Sequence, residues 1–230
     1  MTVIEAISFD LDDTFWPVAP LIRGAETAMR EWIRTNYPTV FETVSEDDIR
    51  QYRREVVAEN RDRLHDLTFL RKAVLSRMAQ ASRVEKAMVD GSFEAFDQAR
   101  NRVDLFPGVL DLLDALSDRF PLIACSNGNA SLEKTGIAQF FTAHISAKSA
   151  GAAKPDPAIF RAVTEAAKCP ARRILHVGDD IKADVDGARR AGMQTVWVNA
   201  TGSVWPIELG EPPVTVRQVI ELQTTDIPGI

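Results

Sequence analysis

Short apolar segments alternate with amphipathic helical segments over the second half of the chain, and this alternation limits the possible folds more than any other feature. The pattern predicts helices at 109–120, 132–140, 157–167 and 181–191, and strands at 121–125, 143–146, 173–177 and 194–198. Strands that alternate with helices of this length are joined by crossover connections. The sequence therefore predicts an α/β fold with a doubly wound, mainly parallel sheet that has helices on both faces.

One further strand, 3–9, lies at the start of the chain, and a long helical stretch separates it from the others. Apolar residues recur there at helical spacing, as at Ala25, Met29 and Ile33, and Ser45 followed by Asp48 predicts a capping box. We predict an α/β core formed by 1–17 and 101–230. An all-helical cap, 18–100, would be inserted after the first strand.

Charge and composition exclude several classes of protein. The 230 residues carry a formal net charge of −6, which argues against general binding to nucleic acid or to an anionic membrane surface. No apolar run approaches the roughly 20 residues of a membrane span. The start of the chain does not resemble a secretory signal, and the two cysteines, Cys125 and Cys169, suit free thiols in the cytoplasm. The sequence leaves open whether the protein is a monomer or a homodimer.

Polar residues follow the predicted strands at the ends where ligands bind in an open parallel sheet. They form four clusters in chain order: Asp10, Asp12 and Thr14; Ser126, Asn127 and Gly128; Lys154; and Asp179, Asp180 and Asp184. The carboxyl ends of parallel strands lie along one edge of the sheet. We therefore expect these clusters to meet there.

The acidic residues of these clusters require a cation. Two carboxylates about 4 Å apart repel each other by roughly 4 kcal/mol at an effective dielectric constant near 20. An all-oxygen ligand set selects a hard divalent ion such as Mg²⁺, and the candidates are Asp10, Asp12, Asp179 and Asp184. The sequence does not decide whether Asp180 or Asp184 contacts the metal directly. A metal in such a site indicates an anionic substrate.

The remaining residues suit a phosphate group. Ser126, Asn127 and Gly128 offer a hydroxyl, an amide and backbone N–H groups, and Lys154 adds a positive charge. Asp10 is the candidate nucleophile, and Asp12 is the candidate general acid and base.

In these four clusters the chain resembles the haloacid dehalogenase-like phosphohydrolases, whose ordered motifs match Asp10-Leu11-Asp12-Asp13-Thr14, Ser126, Lys154-Pro155, and Gly178-Asp179-Asp180 with Asp184. The resemblance implies a Rossmann-like core and Mg²⁺-dependent hydrolysis of a small-molecule phosphate monoester through an aspartyl-phosphate on Asp10. It also implies that Asp12 gives its backbone carbonyl to Mg²⁺, and that Thr14, Ser126, Asn127 and Lys154 hold the phosphoryl group. Within the family, the stretches Ser126–Ala130 and Leu175–Asp180 resemble a bacterial subgroup that dephosphorylates FMN and a ribitylamino-uracil phosphate.

Other functions remain open on the same residues. A phosphomutase would share the phospho-enzyme and differ only in the acceptor. A haloacid dehalogenase needs neither Asp12 nor a metal, and Asp12 and Asp179 argue against it. A receiver-type signalling domain would place its phosphorylated Asp on a later strand and would lack the long insert.

Three residues outside these clusters are candidates for contacting the substrate. Trp16, next to the first cluster, could stack on a flat ring or pack inside the protein, and His65 and Arg71 lie on the predicted cap. Cys125 and His176, inside predicted strands, are interpreted as buried structural residues.

Overall fold

Six parallel strands form one sheet in the order β3-β2-β1-β4-β5-β6. In the computed structural model, which describes residues 3–225, the strands are β1 (Ala6–Phe9), β2 (Leu122–Ser126), β3 (Ala143–Ser146), β4 (Ile174–Gly178), β5 (Gln194–Val198) and β6 (Val214–Val216). The predicted α/β fold with a parallel sheet is confirmed. The range 101–230 predicted for the core extends beyond the described residues at its end, as does 1–17 at its start.

The central strands are buried along their whole length because both faces of a parallel sheet are covered. Every residue of β1, β2 and β4 is buried. In the register of the sheet, Phe9 lies opposite Ala124 on one side and Val177 on the other. The chain therefore leaves β1, β2 and β4 at the same edge of the sheet.

Outside the long insert, the helices are α6 (Val109–Ser117), α7 (Leu132–Thr135), α8 (Ala147–Ala150), α9 (Pro157–Ala167) and α10 (Gly187–Arg190). The start of α9 has a clear local cause, since the Asp156 side chain accepts a hydrogen bond from the backbone N–H of Ala158 and Pro157 occupies the first helical position. Its buried residues Ile159, Phe160 and Val163 pack with Ile123 and Cys125 of β2.

The structure differs from the sequence prediction at several elements, three of which have a clear local cause. The helix predicted at 132–140 is interrupted, because Gly136 has a left-handed backbone (φ +79°), and only α7 and a short 3₁₀ turn (Ala138–Phe140) form. The helix predicted at 181–191 begins as a π-helix (Ile181–Asp186) and continues as α10. Strand β6 was not predicted, because three residues carry too little periodicity.

The described chain divides into two units. One contains the sheet: the N-terminal segment through Pro17, Asp104–Gly128, and the chain from Thr135 onward. The other contains Val18–Val103 and Asn129–Lys134, and its helices are α1 (Val18–Asn36), α2 (Val40–Thr43), α3 (Glu46–Glu59), α4 (Leu67–Ala81) and α5 (Ala87–Arg100). This helical unit extends beyond the predicted insert, 18–100, by the residues that follow α5 and by the short segment at 129–134.

The helical unit has its own apolar core, to which α1 contributes Ala25, Met29 and Ile33 at helical spacing. The predicted capping box at the start of α3 is present, since Ser45 Oγ accepts from the Asp48 N–H and the Asp48 carboxylate accepts from the Ser45 N–H. Among the described residues, no helix combines the length and apolar character needed to cross a membrane.

Candidate active site

Asp10 and Lys154 form a buried ion pair at the carboxyl edge of the sheet. The chain enters this position directly from β1, and the backbone N–H of Asp10 donates to the carbonyl oxygen of Val177, 2.8 Å away. Nζ of Lys154 lies 2.5 Å from Oδ1 of Asp10, 2.6 Å from Oδ1 of Asp184 and 2.7 Å from the carbonyl oxygen of Cys125. All three Lys154 donors thus have acceptors, and Lys154 bridges two carboxylates from different strand ends.

Three carboxylates, those of Asp10, Asp179 and Asp184, meet at this edge. One oxygen of each lies within 4.8 Å of the other two. When all three are ionised, the single ammonium of Lys154 leaves two net negative charges in the group. A divalent cation would neutralise that charge, and carboxylate oxygens are the ligands Mg²⁺ prefers, so the donor set fits this ion.

The pKa shifts reflect this crowding. Burial raises the pKa of Asp10 well above its usual value, the Lys154 ammonium opposes the shift, and Asp184 and Asp179 add to it. Burial, and then the neighbouring charges of Asp184 and Asp13, raise the pKa of Asp179 to about 7. Burial also disfavours ionisation of Asp184, but Lys154 and His176 outweigh it and hold its pKa below the usual range. Asp184 is therefore the carboxylate that the protein itself keeps ionised.

A second hydrogen-bond path reaches Asp184 from inside the sheet. His176 Nε2 lies 3.2 Å from Oδ1 of Asp184, and His176 Nδ1 lies 3.0 Å from the hydroxyl of Ser8. Burial lowers the pKa of His176, so its neutral form can accept from Ser8 and donate to Asp184. The prediction of a buried, hydrogen-bonded histidine agrees with this geometry. In the sequence, Ser8 and His176 stand out because each is a polar residue in an apolar strand. The two residues are direct neighbours in the sheet.

The sequence did not decide whether Asp180 or Asp184 contacts the metal. The two side chains make different contacts in the structure. The Asp180 carboxylate accepts from the backbone N–H groups of Lys182 and Ala183, so it caps the π-helical turn. The Asp180 N–H in turn donates to Oδ2 of Asp184. Gly178 lies against the Asp184 side chain so closely that a Cβ there would be 2.4 Å from Asp184 Cγ. It is Asp184, and not Asp180, that lies in the carboxylate group.

The predicted phosphate-binding residues lie along the same edge of the sheet and differ in the hydrogen bonds that they make. Ser126 Oγ accepts from the N–H of Gly128. The Asn127 amide accepts from the Lys154 N–H, 2.7 Å away, and donates to the Lys154 carbonyl, 3.0 Å away, so it fixes the backbone of Lys154. The hydroxyl of Thr14 is buried and has no hydrogen-bond partner among the described residues. A buried hydroxyl of this kind is available to a ligand oxygen.

Of the two alternatives for Trp16, stacking on a flat ring or packing inside the protein, the structure shows the second. Its side chain is completely buried, and Nε1 donates to Oδ1 of Asp12 at 2.8 Å. The tryptophan therefore belongs to the interior and fixes one oxygen of the Asp12 carboxylate. Asp12 itself is partly exposed, and its carboxylate lies outside the group formed by Asp10, Asp179 and Asp184.

The two other candidates for substrate contact lie in the helical unit. Arg71, in α4, pairs with Glu26 at 2.8 Å, and its guanidinium stacks over the ring of Phe96. It also lines a cavity inside that unit. His65 is partly buried just before α4 and is not among the described residues that line the cavity.

Comparison with known proteins identifies the family. The model of the haloacid dehalogenase-like hydrolases matches residues 4–192. The chain belongs to the haloacid dehalogenase-like hydrolase family. It is 32% identical over 199 residues to the 5-amino-6-(5-phospho-D-ribitylamino)uracil phosphatase YigB of Escherichia coli, covering 85% of this chain and 83% of that protein.

Two further proteins similar to this chain are named for different activities. The glyceraldehyde 3-phosphate phosphatase of Methanopyrus kandleri is 31% identical over 84% of this chain and 83% of its own length. A solved structure of a 2-haloacid dehalogenase from Pseudomonas syringae pv. Tomato is 32% identical, with a TM-score of 0.91, over 96% of this chain and 97% of that one. The chain is therefore a hydrolase of this family, and the two curated relatives are both named as phosphatases.

Proposed function

We propose that this enzyme is an Mg²⁺-dependent phosphatase that hydrolyses a small-molecule phosphate monoester through an aspartyl-phosphate on Asp10. The observation that supports this most directly is the group of Asp10, Asp179 and Asp184, with Lys154 bonded to both Asp10 and Asp184. It combines a nucleophile, a set of hard oxygen ligands and one fixed positive charge at the edge where an α/β sheet binds ligands.

In the first step, a carboxylate oxygen of Asp10 attacks phosphorus, and the bond from phosphorus to the leaving oxygen breaks. Asp12 gives its proton to that oxygen. Since Trp16 occupies Oδ1 of Asp12, the other oxygen is the one that carries the proton. The Lys154 ammonium, held by the Asn127 amide through its backbone, balances charge on the transferring group.

In the second step, Asp12 takes a proton from water, which attacks phosphorus and breaks the bond to Asp10. Inorganic phosphate leaves, and Asp10 is again a carboxylate. The Thr14 hydroxyl and the loop of Ser126 and Gly128 would hold phosphate oxygens in both steps.

Asp10, Asp179 and Asp184 would hold Mg²⁺, with the backbone carbonyl of Asp12 as a further ligand. When bound, the ion supplies positive charge to the phosphoryl oxygens and to the ionised nucleophile. Because Lys154 and His176 already hold Asp184, that residue would act mainly by orienting the ligand set.

The substrate we propose to test first is a ribitylamino-uracil phosphate or FMN. Support comes from the Escherichia coli relative, which is named for the former. We also propose that the helical unit acts as the cap that selects the leaving group, as its insertion shortly after Asp10 suggests.

The proposal is tested with p-nitrophenyl phosphate. We expect Asp10→Asn to abolish turnover while circular dichroism remains unchanged, and we expect EDTA to abolish wild-type turnover until Mg²⁺ is restored. The exposed Asp118→Asn variant is the matched control. Turnover by Asp10→Asn that persists in EDTA would show that both the nucleophile and the metal are misassigned.

A second activity is favoured by one observation, the similarity to the Pseudomonas syringae 2-haloacid dehalogenase. A dehalogenase would use Asp10 to displace halide from carbon and would need no cation. Halide release from 2-chloropropionate in the presence of EDTA measures this directly. We expect none, because Asp12 and Asp179 have no task in that reaction.

A further inference from the structure

The indole of Trp197, in β5, reaches the carboxyl edge of the sheet, where the group of Asp10, Asp179 and Asp184 lies. Its Nε1 donates to the backbone carbonyl oxygen of Asp179, 2.8 Å away. In the register of the sheet, Trp197 lies opposite Gly178, the residue just before Asp179 in the chain. Trp197 is only 3% exposed, so water is largely excluded from this hydrogen bond.

The peptide unit between Asp179 and Asp180 is held at both of its polar groups. Its carbonyl oxygen accepts from Trp197, and its N–H donates to Oδ2 of Asp184, 3.0 Å away. Because a peptide unit is planar and rigid, a bond at the C=O and another at the N–H together fix its orientation. The hydrogen bond from Trp197 therefore acts on two of the three carboxylates of the group, since the Asp179 side chain leaves the backbone here and the Asp184 carboxylate binds the same peptide unit.

The ring of Trp197 has a support of its own. Trp205 packs against it, with the ring centroids 5.7 Å apart. Trp205 is itself held in place, because its Nε1 donates to the carbonyl oxygen of Gly210 at 2.9 Å and the guanidinium of Arg189 lies over its ring. Two neighbouring indoles thus make the same kind of bond, from an N–H to a backbone carbonyl oxygen, but Gly210 lies outside the acidic group.

We propose that Trp197 is a positioning residue for the acidic group, and that its N–H holds Asp179 and Asp184 in the arrangement in which they bind a divalent cation. This inference rests on the proposed function, in which Asp10, Asp179 and Asp184 hold Mg²⁺. Removing a hydrogen bond that orients a metal ligand set typically costs about 10–100-fold in metal affinity or activity.

A purely structural role for the same hydrogen bond has a different consequence. A buried indole N–H needs an acceptor, and Trp205 shows that a loop carbonyl can supply one far from any carboxylate group. A bond that only satisfies the indole would contribute to stability and leave cation binding unchanged. A bond that orients Asp179 and Asp184 changes the affinity for the cation.

The test uses Trp197→Phe, which removes the N–H and keeps an aromatic ring in β5. The matched control is Trp205→Phe, which removes an equivalent N–H bond and keeps an aromatic ring against Trp197. Binding of Mn²⁺, which suits the same oxygen ligands as Mg²⁺, is followed in the full chain by the electron paramagnetic resonance of the free ion and needs no turnover. We expect Trp197→Phe to raise the Kd for Mn²⁺ about tenfold or more, and Trp205→Phe to leave it at the wild-type value.

The kinetic arm measures hydrolysis of p-nitrophenyl phosphate as a function of Mg²⁺ concentration. We expect the Mg²⁺ concentration for half-maximal activity to rise in Trp197→Phe by a factor similar to the change in Kd. The kcat at saturating Mg²⁺ should stay near the wild-type value, because Asp10, Asp12 and Lys154 are unchanged.

The outcomes separate this inference from the proposed function. Wild-type Mn²⁺ affinity in a folded Trp197→Phe, or an equal loss of affinity in Trp205→Phe, overturns the positioning role and leaves the proposed function standing. A wild type that binds no Mn²⁺ and whose turnover survives EDTA overturns the metal in the proposed function, and this inference with it. Should Trp197→Phe fail to fold, incorporation of 3-benzothienylalanine in place of Trp197 decides, since sulfur then replaces the N–H in a ring system of nearly the same shape.

Discussion

The ammonium of Lys154 lies 2.6 Å from Oδ1 of Asp184 and also donates to Asp10, so one lysine joins carboxylates that the chain delivers from two different strands. All three side chains are almost fully buried. Asp10 belongs to the first sequence cluster and Asp184 to the fourth, and both contact Lys154, which is the third cluster. The lysine therefore joins two strand ends at this edge, and in the proposed mechanism the same ammonium balances charge on the phosphoryl group.

Replacing Lys154 by Met should destabilise the protein strongly. Two buried carboxylates would lose their common partner, and breaking a buried ion pair costs about 3–5 kcal/mol. The free energy of unfolding in urea measures this, with the exposed Lys148→Met as the matched control. Equal stability of the two variants would mean that the bridge contributes nothing to the fold.

Gly178→Ala should reduce activity at least tenfold, since a Cβ at this position would lie 2.4 Å from Cγ of Asp184. The Asp184 side chain would have to move and would lose its bonds to Lys154 and His176. Displacing a residue that supports a metal ligand set typically costs 10–100-fold in metal affinity or activity. The Mg²⁺ concentration for half-maximal activity should rise. An unchanged Mg²⁺ dependence would contradict the role given to Asp184.

Gly24 and Gly91 offer a matched pair of substitutions inside helices. Nothing lies within 4 Å of a Cβ at Gly24, in α1, so Gly24→Ala should stabilise the protein by about 0.5–1 kcal/mol. A Cβ at Gly91, in α5, would lie 2.2 Å from Cζ2 of Trp32, so Gly91→Ala should destabilise it by about 1–3 kcal/mol. Thermal unfolding of both variants checks the sign of each effect. The same sign for both would show that packing at Trp32 does not decide the outcome.

The two thiols should differ in reactivity. Burial raises the pKa of Cys125 to about 12, so at pH 8 only about one thiol in ten thousand at this position is ionised. Cys169 is only partly buried. A thiol-disulfide reagent at pH 8 should therefore label at most one cysteine in the native protein and two in guanidinium chloride. Native Cys169→Ser should not react, and rapid labelling of that variant would contradict the burial of Cys125.

Sequence reasoning predicted the parallel sheet and the edge where the polar clusters meet, because both follow from local periodicity and from the geometry of crossover connections. It did not predict that Lys154 bridges Asp10 and Asp184, since side-chain pairing across strand ends depends on packing in three dimensions. The sequence left open whether Trp16 packs inside the protein, as it does. Only the fold shows that its indole N–H has the carboxylate of Asp12 to bind.

The break of the helix at Gly136 could have been anticipated from the glycine alone. The π-helical turn after β4 could not, because no residue pattern marks the inserted residue. The site assignments themselves remain predictions that the proposed variants test.

The position of β1 in the sheet has a consequence for biosynthesis. It is the first strand to leave the ribosome, yet both of its neighbours, β2 and β4, are made only after α1 to α5 are complete. During that interval the strand exposes apolar side chains and two unpaired backbone edges. The helices of the insert, whose apolar core is formed by residues of the insert itself, can assemble meanwhile. A nascent chain that stalls after α5 has left the ribosome and before β2 has done so is therefore expected to carry folded insert helices beside an aggregation-prone strand, and to depend on chaperones until β2 emerges.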